Sequence, residues 1–236
     1  MMVELEAAIP KPTKSIYSSF IKRLLDIILC SSALLVLSPL LLVVSILELI
    51  YHGKPILYKT KRPGKDGKVF NLYKFRSMTN ERDVDGFLLP EEKRITKFGR
   101  FLRRTSIDEL PELLNIVKGD MSIIGPRPLL TEYMSMYSAR HAYRQCVRPG
   151  LACVRIKREG LTDTWTWRDQ FENDIYYIEH ISLLTDVKMI FTVIKEVIKG
   201  APYRANDTRV PFLGDNLDEI KSKAEVGVET HFDSLN

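Results

Sequence analysis

The sequence predicts a mixed α/β protein: one kinked membrane helix, then a small cytosolic domain with amphipathic interface helices and a short β-ribbon. Three observations carry that expectation. Leu24 to Leu47 is almost wholly apolar and holds Ser38-Pro39 near its middle. Two β-prone runs flank Asp66-Gly67. Two later segments place apolar residues at helical spacing, and the first of them carries basic residues on its remaining face.

An apolar run of this length suffices to cross the roughly 30 Å hydrocarbon core of a bilayer. Pro39 removes a backbone donor, and its ring clashes with the carbonyl four residues back, that of Leu35. The result is either a bent crossing helix or a re-entrant one that enters and leaves on the same side. Lys11, Lys14, Lys22 and Arg23 precede the run, and Lys54, Lys59, Lys61 and Arg62 follow it. A basic excess marks the cytoplasmic side, so basic residues at both ends favour the re-entrant form. Ser38 can bond a backbone carbonyl freed at the break. A signal anchor merely bent by its proline is the competing reading. A cleavable signal peptide fits poorly, because the run exceeds the usual apolar core and no small-residue cleavage site precedes Glu48. Asp26, Ser31 and Ser32 do not amount to a solvent face, which disfavours an ordinary buried helix.

The chain has 236 residues, room for this element and one domain of about 150 residues. The expected divisions are a polar lead over 1–21, the membrane helix over 22–52, a cytosolic domain over 53–200 and a tail over 201–236. The net charge of +5 suits anionic lipid headgroups, nucleotides or nucleic acid. No recognisable nucleic-acid module accompanies it, so nucleic acid is not expected as a partner. Cys30, Cys146 and Cys153 have no metal-ligand spacing, which points to reduced thiols in a cytosolic compartment. The four histidines are scattered and give a histidine metal site little support.

Pro10 and Pro12 discourage helix in the lead. After a loop at Tyr51-His-Gly-Lys-Pro55, Ile56–Lys59 and Lys68–Phe75 read as two strands of a hairpin around Asp66-Gly67, a ribbon that carries Lys59, Lys61, Arg62 and Lys74. Asn80 to Glu92, charged and holding Gly86 and Pro90, reads as a loop. From Arg94 to Arg104, Ile95, Phe98 and Leu102 fall at helical spacing beside Phe101, with Lys97, Arg100, Arg103 and Arg104 around them. Such a helix lies either in a membrane interface or on the domain core with a solvated basic side. Ser106-Ile-Asp-Glu109 has the spacing of a capping box, followed by a stripe of Leu110, Leu113, Leu114 and Val117 that Lys118-Gly119 ends. Met121 to Ile124 is a short apolar run stopped by Gly125-Pro-Arg-Pro128. Thr131 to Arg148 reads as a helix, Arg148-Pro-Gly150 as a turn, Leu151 to Ile156 as a strand and Thr162 to Arg168 as a loop. Phe171 to Ile181 reads as helix or mixed structure, and Asp186 to Lys199 as an amphipathic helix.

Asp108-Glu109 is the sharpest polar feature. Acidic residues opening a helix commonly serve its dipole, and Glu109 would complete the capping box. The basic company points elsewhere, with Arg103 and Arg104 upstream and Arg127 set between prolines downstream. Arginines bind phosphate bidentately, and carboxylates beside a diphosphate ligate Mg²⁺. These residues point to phosphate chemistry at a membrane surface without naming the reaction.

Several motifs, in order, do name a family. They are Lys22-Arg23 with Ser38-Pro39, Lys74-Phe-Arg-Ser-Met78, the run from Phe98-Gly-Arg to Asp108-Glu-Leu-Pro111, Lys118-Gly-Asp-Met-Ser-Ile-Ile-Gly-Pro-Arg-Pro128 and Arg148-Pro-Gly150. Over roughly residues 20–200 the chain closely resembles the bacterial sugar transferases, the small monotopic phosphoglycosyl transferases. The resemblance implies transfer of sugar-1-phosphate from a UDP-sugar to undecaprenyl phosphate with release of UMP, the first membrane step of surface glycan assembly. It implies Asp108 as nucleophile through a covalent phosphosugar-aspartyl intermediate, Glu109 as its partner, and both as ligands of Mg²⁺. Lys74, Arg103 and Arg127 match phosphate-binding positions, Ser38-Pro39 the break of a re-entrant helix and Lys22-Arg23 its headgroup anchor. The implied location is the bacterial inner membrane, among its lipids, with the catalytic domain on the cytoplasmic face; a homodimer is compatible with this. One departure stands out. After Gly150 the family's Gly-Trp-Ala-Gln-Val-like run is replaced by Leu151-Ala-Cys-Val-Arg-Ile-Lys-Arg-Glu-Gly160, which bears on donor recognition. The competing class is a membrane-tethered scaffold or regulator derived from an inactive transferase; the intact Asp108-Glu109 pair argues against it.

Overall fold

The computed structural model describes residues 9–153, 166–198, 212 and 214. Its elements are a mixed α/β set, organised along one long apolar helix. A π-helical turn, Tyr17–Ile21, runs into α1, Lys22–Tyr51. Helix thus begins within the expected lead. Before it, the lead is held to the domain: the Thr13 amide donates to the Ile178 carbonyl and its hydroxyl to that of Glu179.

Among the described residues this is the one helix long and apolar enough to cross a membrane. Pro39 lies inside it, and helix continues on both sides. The Leu35 carbonyl, which Pro39 cannot satisfy, accepts the Ser38 hydroxyl at 2.8 Å. One face of α1 packs on the domain over most of its length. Asp26, Cys30, Val44 and Glu48 are buried at roughly helical intervals, with Leu37 and Leu41 partly buried between them. The other face, including Leu24, Ile28, Val36, Val43 and Ile50, is exposed.

Strands β1, Leu57–Pro63, and β2, Val69–Phe75, form the antiparallel hairpin, in register from Leu57 opposite Phe75 to Pro63 opposite Val69. Asp66 and Gly67 take positive φ in its turn, as the Asp-Gly pair requires. The charged loop that follows is ordered around Asp83, whose carboxylate accepts the Asp85 and Phe87 amides. Then come α2, Glu91–Arg94, and α3, Lys97–Thr105. Helix α3 packs on the core: Leu102 is fully buried with Val44 and Phe75, while Phe101 and the basic residues stay exposed. Ile95 lies outside it, at the end of α2.

Two expectations are corrected. Ser106 is not a helix N-cap; it is the left-handed residue that ends α3, and its side chain makes no capping bond. Asp108 and Glu109 therefore sit in a 3₁₀ turn, Ile107–Glu109, ahead of α4, Glu112–Lys118. Glu109 is claimed by tertiary contacts instead of a local cap. The stretch from Thr131 to Arg148 is not one helix but a 3₁₀ segment, Thr131–Met136, then α5, Ala139–Ala142, and a last turn, Tyr143–Gln145. Its aromatic and basic side chains are drawn into separate tertiary contacts that a straight helix could not serve.

Strand β3, Ser122–Ile124, pairs in parallel with β4, Gly150–Ala152, Ser122 lying opposite Gly150. A side chain on Gly150 would meet the Gly125 backbone at 2.1 Å, which explains the glycine of the Arg-Pro-Gly turn. The rest of the expected 151–156 strand, and most of the Thr162–Arg168 loop, lie outside the described residues. Helix α6, Trp167–Glu179, opens on a capping box of Thr166 and Asp169, and α7 runs from Leu183 to Ile198. Ile124, Ile175, Tyr177, Ile178 and Met189 form the core between them.

Candidate active site

Four elements bring the charged residues together. Lys74 comes from β2, Asp108 and Glu109 from the 3₁₀ turn, Glu112 from the first turn of α4, and Arg127 from the Gly-Pro-Arg-Pro loop after β3. Asn115 fixes α4 against the strand. Its side chain is fully buried, accepts the Tyr73 amide at 3.0 Å, and donates to the Asn71 carbonyl at 2.7 Å. That staple sets Lys74 beside α4. Its ammonium lies 2.7 Å from Glu109 Oε1 and 3.1 Å from Glu112 Oε1. Arg127 Nη2 lies 3.8 Å from the same Glu109 oxygen.

Asp108, Glu109 and Glu112 are all buried. Burial pushes the Glu112 carboxyl pKa up; Lys74 and Arg127 oppose this, and the charge of Asp108 adds to it. Asp108 and Glu112 thus lie within electrostatic reach of each other, four residues apart across one turn.

A cleft of about 200 Å³ opens beside this group, lined by Arg62, Lys74, Glu112, Arg127, Tyr133 and Trp167 among others. Burial presses the Arg62 guanidinium pKa down, and the positive charge of Arg127 adds to the effect. Three cations along one cleft make an anion-seeking surface. Tyr133 and Trp167 meet edge to face, centroids 5.7 Å apart. An aromatic pair and three cations lining one cleft suit a ligand with a planar ring and phosphates.

Of the residues singled out in the sequence, Lys74, Asp108, Glu109 and Arg127 converge here. Arg103 does not join them; it donates to Ser77 Oγ at 2.9 Å and pairs with Glu91. Lys22 pairs with Asp186 at 2.5 Å, and Arg23 donates to the Ile116 and Val117 carbonyls in the last turn of α4. Both tie the start of α1 to the domain. Glu112 and the aromatic pair were not singled out. The spacing of Glu112, four residues after Asp108, was the available signal, since that interval stays on one side of a helical turn.

A profile described as bacterial sugar transferase matches residues 17–200. The uncharacterized sugar transferase EpsL of Bacillus subtilis is 41% identical over 184 residues, 75% of this chain and 87% of that protein. The exopolysaccharide production protein PSS of Rhizobium leguminosarum bv. phaseoli is 40% identical over 194 residues, 76% of this chain and 96% of that one. The UDP-N-acetylgalactosamine-undecaprenyl-phosphate N-acetylgalactosaminephosphotransferase of Aeromonas hydrophila is 34% identical over 203 residues, 84% of this chain but only 47% of that protein.

Proposed function

Because the chain belongs to the bacterial sugar transferase family, we propose that it transfers sugar-1-phosphate from a UDP-sugar to undecaprenyl phosphate, releasing UMP. It is a phosphoglycosyl transferase. The observation that carries the reading is the group of Asp108, Glu109, Lys74 and Arg127 beside a cationic, aromatic-walled cleft.

In this mechanism an Asp108 carboxylate oxygen attacks the sugar-proximal phosphorus. The bond from that phosphorus to the bridging oxygen breaks, and its electron pair leaves with UMP. The product is a phosphosugar-aspartyl ester. An undecaprenyl phosphate oxygen then attacks the same phosphorus, forming the lipid diphosphate sugar and returning the Asp108 carboxylate. Splitting the transfer in two is ordinary covalent catalysis and predicts ping-pong kinetics. Lys74 and Arg127 bind phosphate oxygens, and Arg62, lining the same cleft, adds a third cation. Tyr133 and Trp167 offer the uracil ring a stacking wall.

Asp108 and Glu109 have the donor chemistry Mg²⁺ takes. Among the described residues no three carboxylate, histidine or cysteine side chains group for an ion, so these two would hold it together with substrate phosphates and water. When bound, Mg²⁺ supplies charge neutralisation on the diphosphate.

The re-entrant topology belongs to the same proposal. Its support is that one domain grips both ends of α1. Near the start, Asp26 accepts the Ile123 amide and Arg23 reaches the end of α4. Near the other end, Glu48 and His52 reach Thr96, the N-cap of α3, through a buried chain. The midpoint Ser38-Pro39-Leu40 is exposed, although Leu37 and Leu41 on either side of it still pack on the domain. Both ends then lie on the cytoplasmic face of the inner membrane.

The test is UMP release by detergent-purified protein with Mg²⁺ and undecaprenyl phosphate, across a panel of UDP-sugars. Release with one donor, dependent on polyprenyl phosphate and lost in Asp108→Asn, is the expected result. Silence across the panel from well-folded protein overturns the reading in favour of an inactive scaffold. For topology, single cysteines at Ser15 and Thr60 should both label from the cytoplasmic side. Labelling from opposite sides makes α1 a crossing helix.

A further inference from the structure

A second cleft, of about 70 Å³, opens at the start of α1. It shares the β3–β4 pair with the catalytic cleft. Ser122 and Ile124 line the new cleft and Leu151 the catalytic one, and alternate strand residues point to opposite faces. The two clefts therefore lie back to back on one small sheet.

Four basic side chains line it, Lys22, Arg23, Lys65 and Arg148, against one acid, Asp26. Part of that charge is spent within the fold. Lys22 is paired with Asp186, the Arg23 nitrogens reach the end of α4, and Asp26 accepts the Ile123 amide. Two cations remain. Arg148 uses its Nε on the Gly119 carbonyl, and the Lys65 ammonium has no partner among the described residues. Arg23 and Arg148 thus line one cleft, with Asp26 the one acid beside them.

The second observation is Ser122. It is 2% exposed, lines the cleft, and its hydroxyl has no hydrogen-bond partner among the described residues. A buried hydroxyl without a partner is uncommon, and one on a residue that lines a cationic cleft has a bond to offer an oxyanion. The surroundings identify the source of that oxyanion. Phe20, in the turn before α1, and Leu24 and Ile28, at its start, are exposed. Under the membrane reading above, they enter lipid where Lys22 and Arg23 stand at headgroup depth.

We propose that this cleft binds the phosphate group of an anionic membrane lipid, held by Lys65, Arg148 and the Ser122 hydroxyl, as a phosphate site separate from the catalytic one. The bound lipid pins the start of α1 at headgroup level. It also braces the Arg148-Pro-Gly150 turn, whose glycine lines the catalytic cleft on the other side.

Native mass spectrometry of the full chain released from detergent tests this, with dioleoyl phosphatidic acid as probe and dioleoylglycerol as the control lacking phosphate. Neither Lys65→Gln, at an exposed residue, nor Ser122→Ala, which removes an unpartnered hydroxyl, breaks a contact of the fold. The wild-type chain should retain one phosphatidic acid and no dioleoylglycerol, and each variant should bind at least about fivefold more weakly. UMP release should persist in both, which separates this site from the catalytic reading. Equal retention by wild type and variants overturns the proposal. So does loss in Arg127→Gln but not in Lys65→Gln, which would place the lipid in the catalytic cleft. Protection of the chain by inorganic phosphate, with no lipid retained, makes this a free-anion site and overturns the lipid assignment.

Discussion

Arg144 and Asp174 form one assembly of cation and carboxylate; Lys74, Glu109, Glu112 and Arg127 form another, and the two are built differently. Arg144 places Nε and Nη2 on Asp174 Oδ2 at 3.0 and 2.6 Å, Nη2 on the Arg127 carbonyl and Nη1 on the Tyr137 hydroxyl. Every nitrogen of that guanidinium has an acceptor, and both partners are buried. In the second assembly one lysine is shared between two carboxylates, and Arg127 stands 3.8 Å from its nearest one with its side chain a third exposed. The first is buried and closed to a ligand. The second keeps some capacity in reserve. Arg127 belongs to both: its backbone is fixed by the saturated assembly and its side chain is left to the open one. Rigidity behind a site and a part-exposed, loosely paired cation such as Arg127 in front of it are complementary requirements.

The largest expected effect separates the two assemblies most cleanly. Asp108→Asn should lower UMP release by at least about a thousandfold, because the nucleophile is gone, while the unfolding midpoint stays near that of wild type. Near-normal turnover would remove Asp108 from the mechanism. Arg144→Met should act first on stability. It leaves the Asp174 carboxylate buried without its cation, a loss of about 3–5 kcal/mol that urea unfolding in detergent can read. If that variant lost turnover at unchanged stability, Arg144 would belong with the open assembly and the contrast would fail.

A smaller effect sharpens the description of the open group. Glu112→Gln removes one of the two carboxylates paired with Lys74, a carboxyl whose pKa burial has raised. Turnover should fall by about tenfold, the equivalent of about 1.4 kcal/mol for the loss of one buried ion-pair partner. The acid limb of its pH profile should also lose the component that Glu112 contributes above the ordinary carboxylate range. An unchanged profile would make Glu112 a structural anchor for Lys74 and nothing more.

The sequence made the hairpin legible because its turn chemistry is local: Asp66-Gly67 dictates positive φ wherever the strands end up. The apolar helix was legible for the same reason, down to the Leu35 carbonyl that Ser38 satisfies. Asp108-Glu109 could be located, but not its setting. Ser106-x-x-Glu109 has the spacing of a capping box, yet Glu109 is taken by Lys74 from 35 residues upstream, a contact no local pattern contains. Arg103 illustrates the same limit, since its pairing with Glu91 depends on how α2 and α3 pack. The expected helix over Thr131 to Arg148 failed because Tyr133, Tyr137 and Arg144 answer to partners on other segments.

The smallest effect concerns a third ion pair, intermediate between the two assemblies. Arg140 donates to both Glu172 oxygens at 2.8 and 2.9 Å, and His141 Nε2 lies 3.1 Å from Oε1. Burial alone would raise the Glu172 carboxyl pKa, but the bonds from His141 and Arg140 outweigh it and hold the carboxyl down at about 2. A carboxyl with a depressed pKa in the folded state binds fewer protons there than when unfolded. Its stabilisation is therefore complete above the unfolded pKa, near 4.5, and is lost as pH falls towards 2. Urea unfolding of Glu172→Gln should show lower stability than wild type at pH 7, with the gap closing as both are taken to acid. The pair is partly exposed, so the gap should also narrow in high salt, which the buried Arg144–Asp174 pair should resist. Its reach extends to the catalytic cleft, because His141 packs on Phe171, which packs on the Trp167 of the aromatic wall. A gap that stays constant from pH 7 to 3 would mean that Glu172 is not held ionised by the fold, and the wall would then depend on aromatic packing alone.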